Sequence, residues 1–143
     1  MSFAIDVNIL LYASDTESRF HQGAKRFLLE TASGDEVFCL AWPTIMSYLR
    51  IATHPSIFAS PLAPDIALGN IEDLLTLPHA RALAEQEGFW QIYSKVCRDL
   101  PVRGNLVPDA HLAALLLQNG VETLYTLDRD FRKFDFLRLR DPF

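Results

Sequence analysis

The chain has 143 residues, half of them hydrophobic and 22% charged, with a formal net charge of −5. That balance excludes a disordered polymer and fits one domain, able to bury roughly two-thirds of its unfolded surface. The acidic total argues against a protein that coats nucleic acid, and no apolar run approaches the length that crosses a bilayer.

Phe3-Ala4-Ile5 is a short apolar run that ends on Asp6-Val7-Asn8, the pattern of a buried parallel strand with polar groups at its carboxyl end. Asp6 and Asn8 also break any signal-like apolar stretch, which points to a cytoplasmic protein. Ile9 to Ala13 reads as a buried helical turn. Phe20, Ala24, Phe27 and Leu28 share one helical face, with Asp15 or Ser18 as its cap. After the Gly34-Asp35 turn, Val37 to Leu40 reads as a second buried strand. Pro43 opens a helix that faces Ile45, Tyr48, Leu49 and Ala52 inward, and Pro55 stops it. Residues 55–64 form a surface loop. The next helix turns Leu68, Ile71, Leu74 and Leu75 inward and closes at Pro78.

His79 to Leu83 is a third strand, followed by a helix on Phe89, Ile92, Tyr93, Val96 and Leu100. Pro108 suits the first turn of the next helix, and Gly120 suits the left-handed position past its end. Leu112 to Leu117 between them carries no polar residue, so that helix must be buried. Glu122 to Thr126 is a strand, Asp128 to Phe131 a short helical turn, and Phe136 to Leu139 a last strand. Cys39 and Cys97 have no metal-ligand spacing and read as buried, reduced thiols. Trp42 and Trp90 read as core or dimer-face residues.

Strands alternating with helices predict a three-layer α/β/α sandwich with a mainly parallel central sheet, in a single domain over residues 1–143. In such sheets the functional crevice lies outside the carboxyl ends of the strands. Asp6 follows the first strand and Asp128 the strand 122–126. A right-handed crossover starts the 108–120 helix at the same rim, which brings Asp109 there too. Taken alone, a first-turn acid such as Asp109 complements the helix dipole by about 0.3–1 kcal/mol. Three converging carboxylates repel one another unless a cation offsets them. Hard oxygen ligands select Mg²⁺ or Mn²⁺, and a Mg²⁺ so held keeps waters for chemistry on a phosphate. A substrate phosphate needs positive charge nearby, and Arg50, Arg103, Arg129, Arg132, Lys133, Arg138 and Arg140 are the candidates. His111 is expected to pack or to line the polar rim.

Asp6-Val7-Asn8, the run Gly104 to Ala114 and Thr126-Leu127-Asp128-Arg129-Asp130-Phe131 together resemble a PIN-domain ribonuclease. The likeness is greatest to the VapC-type toxins of bacterial toxin–antitoxin pairs. Leu49-Arg50-Ile51-Ala52-Thr53-His54-Pro55 is similar to a segment those toxins carry after the second strand. The resemblance implies an endoribonuclease that uses Mg²⁺ or Mn²⁺, is silenced by a cognate antitoxin and forms a homodimer. Asp6, Asp109 and Asp128 match the family's catalytic, metal-holding acids. Asn8 and Thr126 match polar positions beside them, and Asp130 a further acid behind the metal's direct ligands. A customary glutamate falls near Ile45 or Ser47, where this chain has no acid, so one ion is expected rather than a symmetric pair. The other reading is a PIN domain with weakened catalysis that acts as an RNA- or antitoxin-binding module.

Overall fold

The computed structural model describes residues 2–143. Strand β1 (Ser2–Ile5) leads through α1 (Val7–Ser14) and α2 (His21–Ser33) to β2 (Val37–Ala41). The chain continues through α3 (Trp42–Ala52) and α4 (Pro64–Leu75) to β3 (Ala80–Leu83). Helices α5 (Phe89–Val96) and α6 (Leu106–Gln118) then lead to β4 (Thr123–Tyr125), and a 3₁₀ turn (Arg129–Lys133) to β5 (Arg138–Arg140). The sheet order is β3-β2-β1-β4-β5 and all four pairings are parallel. The prediction of a mainly parallel α/β/α sandwich therefore holds.

Alternation along the strands explains the layers. Phe3, Ile5, Phe38 and Leu40 pack against α1 to α4 on one face. Ala4, Cys39, Ala41 and Leu124 pack against α6 and the 3₁₀ turn on the other. The small side chains on this second face let α6 sit close to the sheet. Its residues Leu112 to Leu116 are all buried, as its composition requires. The helix ends in a left-handed cap: Gly120 has φ of 72° and gives its N–H to the Leu117 carbonyl, while Val121 N–H reaches Leu116. On the exposed edge of β3, the Arg81 guanidinium covers the carbonyls of Pro78 and Ala80.

Several local expectations need correction. Helix α6 begins at Leu106, which places Pro108 at its third position; an N–H there has no partner within the helix in any case. Leu117 at its far end is 41% exposed. Helix α2 begins at His21 with Phe20 as an uncapped boundary. Asp15 and Ser18 spend their oxygens on the preceding loop, accepting the N–H groups of Glu17 and Phe20. On α4, Ile71, Leu74 and Leu75 turn inward as predicted, but Ala67 takes the fourth inward place and Leu68 faces solvent at 56% exposure. The last strand lies at Arg138–Arg140, because Phe134, Phe136 and Leu137 pack under the 3₁₀ turn instead of pairing. Cys39 is buried, but Cys97 is only half-buried at the end of α5. Trp42 and Trp90 are 40% and 71% exposed, which removes both from the core.

Candidate active site

Because β1 is followed by β2 on one side and by β4 on the other, the crevice of this sheet lies between the carboxyl ends of β1 and β4. Asp6 stands at the end of β1 as the N-cap of α1, in extended backbone conformation. Its N–H continues the ladder to the Tyr125 carbonyl, so β4 fixes its position. Its carboxylate is buried and hydrogen-bonded at both oxygens. Oδ1 accepts from Val7 N–H at 2.7 Å, and Oδ2 accepts from the Thr126 hydroxyl at 2.7 Å.

Thr126 is the joint of the site. While its hydroxyl donates to Asp6, the same oxygen accepts the Asp128 N–H at 2.9 Å. One side chain thereby ties the end of β1 to the turn after β4. Asp128 caps that turn by accepting the Asp130 N–H at 2.9 Å. The Asn8 amide nitrogen lies 3.4 Å from both Asp6 Oδ2 and Thr126 Oγ1, and its Oδ1 is buried without a partner among the described residues.

Asp109 enters from the first turn of α6, half-buried. Burial and then the negative charges of Asp128, Asp6 and Asp130 push its carboxyl up to about 6, against a smaller opposing pull from Lys133. Burial likewise raises the Asp6 carboxyl above the usual carboxylate range, with Asp128 adding to it and the bonds from Thr126 and Val7 opposing. Four carboxylates thus share one rim, and their mutual repulsion is built into the fold. One oxygen from each of Asp109, Asp128 and Asp130 lies within 4.8 Å of the others. Oxygens on one Mg²⁺, each about 2.1 Å from it, span at most about 4.2 Å, so small side-chain rotations would close the group on an ion. The hard, anionic donor set fits a divalent cation.

The Asp130 carboxylate, on the 3₁₀ turn, lies in this group as well. The cap draws the two residues together, since the Asp128 carboxylate accepts the Asp130 N–H at the start of the 3₁₀ turn. Near the place of the customary glutamate, Ile45 is buried in the core and Ser47 is half-buried, so α3 contributes no acid. His111 does not join the acids. It packs against Phe89 and pairs with Glu85 in the loop after β3, a partner that no sequence spacing revealed. Two broad grooves, of about 650 and 910 Å³, include none of the four acids among their lining residues.

Sheet order and acid rim together define an α/β domain of the PIN class, and the family model described as the PIN domain matches residues 3–137. The chain is 45% identical over 143 residues to Ribonuclease VapC48 of Mycobacterium tuberculosis, covering 100% of this chain and 99% of that protein. It is 33% identical over 138 residues to Ribonuclease VapC43 of the same organism, covering 96% and 93%. The crystal structure of VapBC2 from Rickettsia felis, bound to a DNA fragment from its promoter, superposes with a TM-score of 0.70 at 14% identity, over 99% of this chain and 98% of that one. The chain belongs to the PIN-domain family, among its VapC-type ribonucleases. No helix among the described residues is long and apolar enough to cross a membrane.

Proposed function

We propose that the protein is a Mg²⁺-dependent endoribonuclease that acts as the toxin of a toxin–antitoxin pair in the cytoplasm. The observation that carries this reading is the convergence of Asp6, Asp109, Asp128 and Asp130 on one rim, with one oxygen from each of the last three within 4.8 Å of the others. Asp6, Asp109 and Asp128 are the catalytic acids and the metal ligands, and Asp130 joins them from the 3₁₀ turn. When bound, Mg²⁺ (or Mn²⁺) supplies a Lewis acid for the phosphate and a water acidified enough to attack near neutral pH.

The chain's own residues do the rest. Asp6 is held in place by Val7 and Thr126, so it needs little reorganisation to receive a cation. Asp128, fixed by the bond its backbone N–H donates to the Thr126 hydroxyl oxygen, orients the attacking water and takes its proton as that oxygen approaches phosphorus in line with the leaving oxygen. Asn8 and Thr126 keep the acids in register. The partners are the RNA substrate, a cognate antitoxin of the kind found in the VapBC relatives, and a second copy of the chain. Exposed apolar Trp42 and Met46 on α3 and Trp90 on α5 suit such a homodimer.

The test is mapping of RNA ends in cells after induction, wild type against Asp109→Ala. New ends in the wild type alone support the reading, and the same ends from the variant refute it. Calorimetric titration with Mg²⁺ or Mn²⁺ separates the enzyme from a weakened binding module, for which no appreciable binding is expected.

A further inference from the structure

The acids hold only the reacting phosphate, so the rest of an RNA strand must be gripped by groups outside them. Beside the rim, the Phe143 ring is held flat with one face open. It lies beyond β5, where the chain crosses to the α2 side of the sheet. The ring stacks on Phe20, with centroids 5.4 Å apart and planes within 6° of each other. Its edge rests on Gly23, where a side-chain carbon would come within 2.8 Å of the ring, so glycine alone leaves this seat free. The Phe143 N–H donates to the Asp141 carboxylate at 2.8 Å. Despite these three supports Phe143 is 50% exposed, and no other aromatic ring of the described residues stacks on it.

This stack belongs to the rim. Arg140 at the carboxyl end of β5 accepts the Thr126 N–H at 3.0 Å, and the Thr126 hydroxyl binds Asp6. Phe20 bounds the start of α2, which is the rim end of that helix because α2 runs back to the foot of β2. Tyr12, which braces Phe20, belongs to α1, the helix that Asp6 caps. Cations flank the stack. The Arg19 guanidinium sits 4.7 Å from the Phe20 ring centroid. Leu139 packs on the α6 side, so alternation turns Arg138 and Arg140 toward the α2 side. An aromatic face bordered by cations is the composition that binds a single strand, since bases stack on the ring while phosphates meet the positive charge.

We propose that Phe143, backed by Phe20, is a stacking platform for a nucleobase of the RNA strand whose phosphodiester lies on the acid rim. This rests on the ribonuclease reading and adds to it a contact to a base. The probe is an RNA oligonucleotide carrying a cleavage site mapped in cells, together with a set in which each nucleotide near that site is in turn made abasic. Phe143→Leu keeps apolar bulk on Gly23 but has no ring face. It should lower kcat/KM on the intact RNA about fivefold through KM, the low end of base–aromatic stacking. Phe143→Tyr should keep the wild-type value. One abasic position should lower kcat/KM of the wild type by the same factor and leave Phe143→Leu no worse. Gly23→Ala, which drives the ring from its seat, should repeat the Phe143→Leu pattern. Wild-type kcat/KM in Phe143→Leu overturns the platform alone. So does a variant that loses the same further factor as the wild type at every abasic position, which would mark a structural effect. Wild-type protein that cleaves no RNA refutes the ribonuclease reading itself, and this role with it.

Discussion

Replacing Asp109 by asparagine removes one rim charge while keeping the side chain's shape. In the folded protein this carboxyl titrates at about 6, against an ordinary 3.8. Two pH units correspond to about 3 kcal/mol, which screening at a half-buried site reduces to about 1–2 kcal/mol. Because its folded pKa is raised, the group binds its proton more tightly in the folded state than in the unfolded one. Its penalty is absent below 3.8, grows as the unfolded chain ionises first, and is complete above about 6. Asparagine carries no such penalty. With chelator present and at a pH well above 6, Asp109→Asn should therefore melt about 3–6 °C above the wild type. The gap should shrink as the pH falls toward 3.8. Excess Mg²⁺ should reverse the order, because only the wild type keeps the full set of acids to bind it. Differential scanning calorimetry across this range, with and without metal, reads all three outcomes. A variant that melts below the wild type in chelator at high pH would falsify the electrostatic account of the rim.

Other substitutions probe the supports of the site. Thr126→Val keeps the shape but removes the hydroxyl shared by Asp6 and Asp128. It should cost about 2–3 kcal/mol in urea denaturation near neutral pH, since one lost bond is to a charged group. Cleavage should fall with it, and a variant of unchanged stability and activity would refute the joint. Gly120→Ala places a side chain at φ of 72° and should cost about 1 kcal/mol by the same method, with cleavage intact. A neutral or stabilising effect there would contradict the left-handed cap.

Much of the fold is legible because period and composition agree. The apolar run from Leu112 to Leu116 can only be a buried helix, and Phe3 to Ile5 can only be an inner strand. Where they disagree, tertiary context decides. Leu68 looks inward by spacing, but Ala67 is the residue small enough to be fully buried where α4 meets the core. Asp15 and Ser18 are good capping residues, yet the loop before α2 consumes them first. That Asp6, Asp109 and Asp128 share one rim is readable from the strand-end rule, since it needs only topology. The approach of Asp130 to Asp109 and Asp128 is not, because it depends on the local capping bond of one short turn. The pair formed by Glu85 and His111 spans loop and helix, and sequence carries no trace of it.

The bond from Thr126 to Asp6 joins residues 120 positions apart. During synthesis Asp6 emerges early, and its neighbours Asp109, Thr126, Asp128 and Asp130 follow only when most of the chain has been made. No prefix that stops short of β4 can assemble the rim, because its central pairing of β1 with β4 awaits the fourth of five strands. A chain that ends before Thr126 and Asp128 thus lacks an assembled acid group. For a protein that cuts RNA, the translation machinery handling the unfinished chain is shielded from it by the order in which the residues appear.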